Sequence, residues 1–442
     1  MNSNRRILSL GDLGRIVTGK TPPTKNEAFF GGNIPFVTPR DMDGRKTIYK
    51  TERYLSEMGK LNVQNAIVPA GSIMVSCIGS DMGKVAIAGK ECITNQQINS
   101  IIVMNEEVSE YIYYNLSQRK NELRLMASGS AQPILNKRHF SQVKIELPNR
   151  IKQRAIAHIL GTLDDKIELN RCMNETLESI GRAIFKSWFV DFDPVHAKAE
   201  GRDPGLPPEI ADLFPYSFED SELGRIPKGW EVGVLGDIAS LVIGGQWGNE
   251  RYTEGHIPAI CLRGCDMEDL RQNGYAQKAP TRFVKKKAVE RRIPGESDFL
   301  IAASGAGPCG RPLWCSPRLN KLYENPVIYS NFVKRFSSRN KEYAVYLDRL
   351  FYEKFEDNSI QDFITGTSVP NLDSKGLLKS CRIVIPSKKI LDIFFNMNQS
   401  IFNKLYSKEN GYLSEIRDAL ITKLINGELR VNEVGKIIGN AT

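Results

Sequence analysis

Several short motifs in the sequence carry the letters of known chemistry. Gly14-x-x-x-x-Gly19-Lys20-Thr21 spells a phosphate-binding P-loop, whose backbone N–H groups and lysine would cradle a nucleotide. That chemistry needs a helix opening at the lysine, so that the phosphate sits on its N-terminal N–H groups. Pro22 and Pro23 follow at once, which argues against such a helix. Gly305-x-Gly307-x-x-Gly310 imitates a dinucleotide fingerprint. Pro308 and Arg311-Pro312-Leu313-Trp314 give no amphipathic helix after it, and a turn between strands is expected. Asn33-Ile34-Pro35-Phe36 resembles the Asn-Pro-Pro-Phe/Tyr loop with which amino-methyltransferases hold a flipped base, but one proline is missing. Cys261, Cys265, Cys309 and Cys315 crowd one region with spacings unlike the common zinc motifs. The histidines at 139, 158, 196 and 256 have no clustered carboxylates or nucleophile around them. Together these point to a binding protein without a catalytic or metal site.

A second set of residues suits DNA. In the first half, Lys20-Thr21, Arg40-Asp41, Ser80 with Lys84, Asn95-Gln96-Gln97 and Asn136-Lys137-Arg138 fall in expected loops. In the second half, Gln246-Trp247, Arg263, Ser304 with Arg311, and Asn331 with Lys334 take similar places. Arginine and lysine match guanine edges and phosphates, and asparagine and glutamine can grip an adenine edge with two hydrogen bonds. For any one of them a solvated loop or capping role remains the alternative. The net charge of +9, from 60 basic and 51 acidic residues, fits a polyanionic partner without requiring one.

The elements that would position these residues are written twice. Leu10-Gly11-Asp12-Leu13 returns as Leu235-Gly236-Asp237-Ile238. Ile34-Pro35 followed by Asp41-Met42 returns as Ile257-Pro258 followed by Asp266-Met267. Ser128-Gly129-Ser130 with Pro133 is answered by Thr365-Gly366-Thr367 with Pro370, and Lys144 to Pro148 by Arg382 to Pro386. Each copy mixes short β-rich runs, such as 72–78, 84–88 and 299–303, with helical stretches such as 109–126 and 341–356. At 442 residues the chain needs more than one core.

After each copy the pattern becomes helical. Ile156, Leu163, Asn170, Leu177 and Ile184 repeat every seven residues, flanked by Ile159, Leu160, Ile167, Met173, Ile180 and Trp188. This predicts a helix over 153–188, about 54 Å long at about 1.5 Å per residue. A less regular stretch over 390–424 keeps Leu413, Ile416, Leu420 and Leu424 on one stripe. The two are expected to pair antiparallel; the alternative is that each packs on its own domain. Between the first helix and the second copy, 191–229 is rich in proline and charge and is expected to be an extended connector.

The order domain, heptad helix, connector, domain, helix resembles the specificity subunit of type I restriction-modification systems. The likeness rests on Gly19-Lys20-Thr21-Pro22, on Ile34-Pro35-Phe36-Val37 leading to Asp41-Met42, on 187–194 (Ser-Trp-Phe-Val-Asp-Phe-Asp-Pro) with its sequel at 199–208, and on 224–230. The second copy departs at Gly244-Gly245-Gln246-Trp247, where the Gly-x-Thr-Pro turn is lost.

The resemblance implies an α+β protein with two pseudo-repeated α/β target-recognition domains separated by two long antiparallel coiled-coil helices. The expected boundaries are 1–150 and 230–387 for the domains, 151–190 and 388–430 for the helices, 191–229 for the connector and 431–442 for a tail. It implies a non-catalytic cytoplasmic subunit that reads an asymmetric bipartite site on double-stranded DNA. The partners implied are two methyltransferase subunits, bringing S-adenosylmethionine, and two ATP-dependent restriction subunits, with ATP and magnesium; this chain itself would bind no cofactor and no membrane. A protein-binding adaptor, or an enzyme with its own nucleotide or S-adenosylmethionine site, are the alternatives.

Overall fold

The computed structural model describes residues 5–103, 106–127, 133–305, 307–366, 368–431 and 433. The repeat segments at 128–130 and Thr367, and nearly all of the expected tail, lie outside the described residues. The chain forms two compact units: unit 1 is Met1–Glu168 with Leu413–Thr442, and unit 2 is Leu169–Tyr412.

In unit 1 a five-stranded sheet runs in the order Gly14–Thr18, Ile98–Val103, Ile73–Ser76, Val85–Ala88, Thr47–Ile48. Its central strand is buried on both faces, with Ile73, Met74 and Val75 fully enclosed. A four-stranded sheet holds Arg53–Leu55, Phe30–Val37, Cys92–Thr94 and Ile67–Val68, the middle two parallel. Arg6–Ser9 closes antiparallel on Lys144–Leu147.

Unit 2 repeats this plan. One sheet is Ala239–Leu241, Val333–Ser338, Asp298–Ala302, Pro312–Trp314; another is Thr281–Lys285, His256–Leu262, Val327–Tyr329, again with a parallel pair. Glu231–Val234 closes on Arg382–Ile385. The expected helix at 341–356 is present as Lys341–Glu356, whereas the one at 109–126 is two helices, Glu106–Ser117 and Lys120–Leu125.

The predicted heptad helix is continuous from Arg150 to Phe189. Its buried stripe keeps Ile156, Leu160, Ile167, Asn170 and Trp188 of the expected seam but replaces the others. In unit 1, Ile156, Leu160, Asp164 and Ile167 are buried; in unit 2, Asn170, Asn174, Glu178, Phe185 and Trp188 are buried. Met173 and Ile180 are 44% and 46% exposed, and Leu163, Leu177 and Ile184 are half-buried. The reason is that several polar side chains have matched partners inside. Tyr114 Oη donates to Asp164 at 2.6 Å and Arg417 Nη1 at 2.7 Å. Asn170 Nδ2 donates to Asn410 Oδ1 at 2.9 Å, and Asn174 Nδ2 to the Gln272 carbonyl at 3.1 Å. Glu178 is held by Arg271 and Arg349, and Arg271 also reaches Asp348 at 2.5 Å.

The second helical stretch is broken into Lys388–Leu405 and Glu409–Asn426. Leu420 and Leu424 are buried as expected, but Ile416 is 45% exposed. Within unit 1 the later helix shares a core with Ile156 and Leu160, through Leu420, Ile421 and Leu424. Within unit 2, Phe394 of the earlier helix packs against Phe185 and Trp188 at 6.0 and 6.3 Å between ring centres. In unit 2 the partner's number falls as the long helix's rises, from Asn170 with Asn410 to Phe185 with Phe394, which is antiparallel pairing. Each segment also joins its own unit's sheet core, so the two expected arrangements coexist.

The stretch 191–229 differs from an extended connector. It contains the helix Asp193–Ala199 and a hairpin, Phe218–Ser221 with Gly224–Pro227. Val195, Phe214 and Ile226 are buried against Phe185, Trp188, Phe189 and Trp230. Its aromatic residues, more than its prolines, decide its packing.

Candidate nucleic-acid interface

The false motifs resolve first. Gly14–Thr18 is a strand, with Lys20 and Thr21 in the loop after it and no helix opening there. Asn33 to Phe36 lies within the strand Phe30–Val37, with Pro35 and Phe36 buried. The Gly305 to Gly310 segment joins two antiparallel strands. Among the described residues there is no group of three or more histidine, cysteine, aspartate or glutamate side chains poised for a metal ion. Cys261, Cys265, Cys309 and Cys315 are free thiols.

In unit 1 the sheet edges bring most of the polar loop set together. Its centre is the turn Asn95-Gln96-Gln97, between Cys92–Thr94 and Ile98–Val103. Asn95 Nδ2 donates to Gln97 Oε1 at 2.8 Å and Thr21 Oγ1 donates to the exposed Gln96 at 2.7 Å. The Lys20 N–H donates to the Thr94 carbonyl at 2.9 Å, the Asn95 N–H to Val37 at 3.0 Å and the Cys77 N–H to Gln97 at 2.7 Å. Leu135 in turn donates to Cys77 at 2.9 Å, which ties in the loop before Lys137 and Arg138. These two are exposed on a short helix that Asn136 caps through the His139 N–H at 2.9 Å.

The remaining unit 1 candidates serve partly internal roles. Asp41 accepts from the Thr38 N–H at 2.7 Å and the Glu52 N–H at 2.8 Å, so both carboxylate oxygens hold the loop. Lys84 Nζ donates to the Pro39 carbonyl at 2.8 Å and pairs with Asp81 at 3.0 Å. Arg40 and Ser80 are exposed.

Unit 2 builds the same scaffold from other residues. The Gln246 N–H donates to Tyr329 at 2.9 Å, Ser330 to Leu262 at 2.9 Å, Ala303 to Phe332 at 2.7 Å and Leu372 to Ala303 at 2.9 Å. Its turn is therefore Ser330-Asn331-Phe332. A side chain on Gly19 would place Cβ 2.1 Å from the Asn95 carbonyl oxygen, and one on Gly245 would place it 2.0 Å from that of Ser330. Only glycine admits this close approach of two backbones.

Several unit 2 candidates are already partnered. Arg263 makes a two-pronged pair with Asp266, at 2.9 and 2.8 Å, and also donates to the Lys278 carbonyl at 3.0 Å. The hydrogen bonds to Asp266 raise its pKa further above the usual guanidinium value. Arg311 pairs with Glu268 at 2.8 Å and lies over the Phe355 ring at 5.0 Å. Trp247 carries Arg282 over its face at 4.3 Å. Asn331 is exposed; Ser304, Gln246 and Lys334 are half-buried.

Phe332, 64% exposed beside Asn331, is absent from the residues picked out by polarity. The Ser-Asn turn between two β-rich runs would have located it.

The type I restriction modification DNA specificity domain model matches residues 2–179. The MjaIX type I restriction enzyme specificity subunit of Methanocaldococcus jannaschii is 30% identical over 446 residues, covering 97% of this chain and 94% of that protein. The HindI specificity subunit of Haemophilus influenzae is 27% identical, covering 65% of this chain and 70% of that protein. The crystal structure of the type I restriction-modification S subunit from M. genitalium superposes with a TM-score of 0.52 at 17% identity, over 96% of both chains.

Proposed function

The chain belongs to the type I restriction enzyme specificity subunits, non-catalytic proteins that carry no cofactor of their own, and from that premise we propose that it reads an asymmetric bipartite site on double-stranded DNA in the cytoplasm. Each unit reads one half-site, and the long helix with its two partner helices sets the distance between the halves. Two methyltransferase subunits, bringing S-adenosylmethionine, act at the site, joined by two ATP- and magnesium-dependent restriction subunits.

One observation carries the reading. Two units present the same backbone scaffold of loops and place different side chains on it: Lys20, Gln96 and Gln97 in one, Gln246, Asn331 and Phe332 in the other. A duplicated frame with unlike tips suits two unlike half-sites, because base edges are told apart by the donor, acceptor and methyl pattern of the groove. An exposed lysine or arginine at the edge adds sequence-independent attraction to phosphates.

The test is to map adenine methylation in cells expressing the chain with its methyltransferase partner, alongside Gln96→Ala and Asn331→Ala. The expected result is one split motif with unlike halves, relaxed in one half by each substitution. Methylation without any motif, from a complex that forms normally, would refute the proposal and leave a protein-binding adaptor as the reading.

A further inference from the structure

We propose that Phe332 reads the 5-methyl group of a thymine in the half-site recognised by unit 2, next to the base pair taken by Asn331. The inference rests on the DNA-reading role proposed above and adds a base and a residue to it.

Shared backbone hydrogen bonds align the two turns residue by residue. Cys77 donates to Gln97 as Ala303 donates to Phe332, each at 2.7 Å; Asn95 donates to Val37 as Ser330 donates to Leu262; Ile98 closes on Asn95 as Val333 closes on Ser330. Gln96 therefore stands where Asn331 stands, and Gln97 where Phe332 stands. Both first positions carry an exposed amide, suited to an adenine edge. At the second position unit 1 has an amide that pairs with Asn95, while unit 2 has an aromatic ring left 64% exposed among polar loops.

A single exposed apolar side chain on a protein surface ordinarily needs no explanation. Here its backbone is pinned at the place where the other unit holds the Gln97 amide against Asn95. In the major groove the one apolar feature that distinguishes base pairs is the thymine methyl, and a phenylalanine ring is among the groups that contact it.

The experiment uses the assembled complex of this chain with its methyltransferase subunits and the motif found by methylation mapping. Each thymidine of the half whose recognition is lost in Gly245→Ala is replaced in turn by deoxyuridine, and duplex binding is measured. At one position the missing methyl is expected to weaken binding about fourfold, the worth of one buried methyl-sized group. Phe332→Ala should bind the thymidine and deoxyuridine duplexes alike, and Phe332→Leu should keep the discrimination.

An unchanged unfolding temperature and intact recognition of the other half-site establish that Phe332→Ala is folded. Equal loss for both duplexes in Phe332→Ala at every position would overturn the proposal and make the ring a stacking wedge. A half-site without thymine would overturn it too. Absence of any methylated motif would instead strike down the DNA-reading role itself.

Discussion

Units 1 and 2 share a frame held by backbone bonds and differ in nearly every side chain that the frame presents. Lys20 and Gln246 make the same backbone bond, but one brings a positive charge to the edge and the other an amide. Thr38 and Arg263 both make a backbone bond to an aspartate three residues on, yet only Arg263 adds a two-pronged ion pair. The backbone is satisfied before any side chain is chosen, so side chains at these edges can vary without unmaking the loops.

The two units also bury charge differently along the long helix. In unit 1 Asp164 pairs with Arg417, which keeps 21% of its side-chain surface exposed. In unit 2 Glu178 pairs with Arg349 and Arg271, exposed by 0% and 3%. Burial by itself pushes the Glu178 carboxyl up, but Arg349 and then Arg271 outweigh it and hold its pKa at about 2.

Glu178→Ala should therefore have the largest effect, about 3–5 kcal/mol, because it strands the fully buried Arg349 guanidinium and leaves Arg271 with Asp348 alone. Asp164→Ala should cost less, since Arg417 can turn to water. Separate unfolding transitions for the two units, followed in denaturant, would show the difference; equal costs would break the comparison. The same pairing predicts an acid limb. The Glu178 carboxyl is depressed from its ordinary 4.5, so its contribution is complete above about pH 4.5 and is lost as pH falls towards 2. That limb should vanish in Glu178→Gln when unfolding is followed against pH.

Gly245→Ala and Gly19→Ala come next. Each forces a methyl group against a carbonyl oxygen at 2.0–2.1 Å and should abolish recognition of its own half-site while sparing the other, as methylation mapping would read. Loss of both halves from either substitution would mean that the frames are not independent.

Lys20→Ala should weaken binding to all sequences and lower the salt slope of log affinity by about 1, while Gln246→Ala leaves that slope unchanged. Titrations at several salt concentrations decide this. The smallest effect is expected from Arg263→Ala: about 1–2 kcal/mol from unit 2 stability, through loss of charge-assisted bonds, with no change in the bases read. A relaxed half-site in that variant would return Arg263 to the reading surface.

The duplication, the mixed α/β character and the long helix were legible in the sequence because apolar spacing and turn residues record them. The buried stripe was less so. Asn174 and Glu178 look like solvent-facing residues until the Gln272 carbonyl and the two arginines are placed opposite them. Residue type located the unit 1 turn, since Asn95, Gln96 and Gln97 are all amides. It could not show that Arg263 and Arg311 pair with carboxylates three residues along the chain and 43 residues back. It passed over Phe332 because polarity was the criterion.

Unit 1 is assembled from two separate stretches of chain, and its core joins Leu10, Ile16 and Leu160 to Leu420, Ile421 and Leu424. On the ribosome the order of completion is thus the reverse of the numbering. All of unit 2 is synthesised before Leu413 onward exists, so unit 2 can close while the nascent unit 1 still lacks its final helix. During that interval the apolar groove awaiting Leu420 and Leu424 stays open, and chaperones or premature association would find it there.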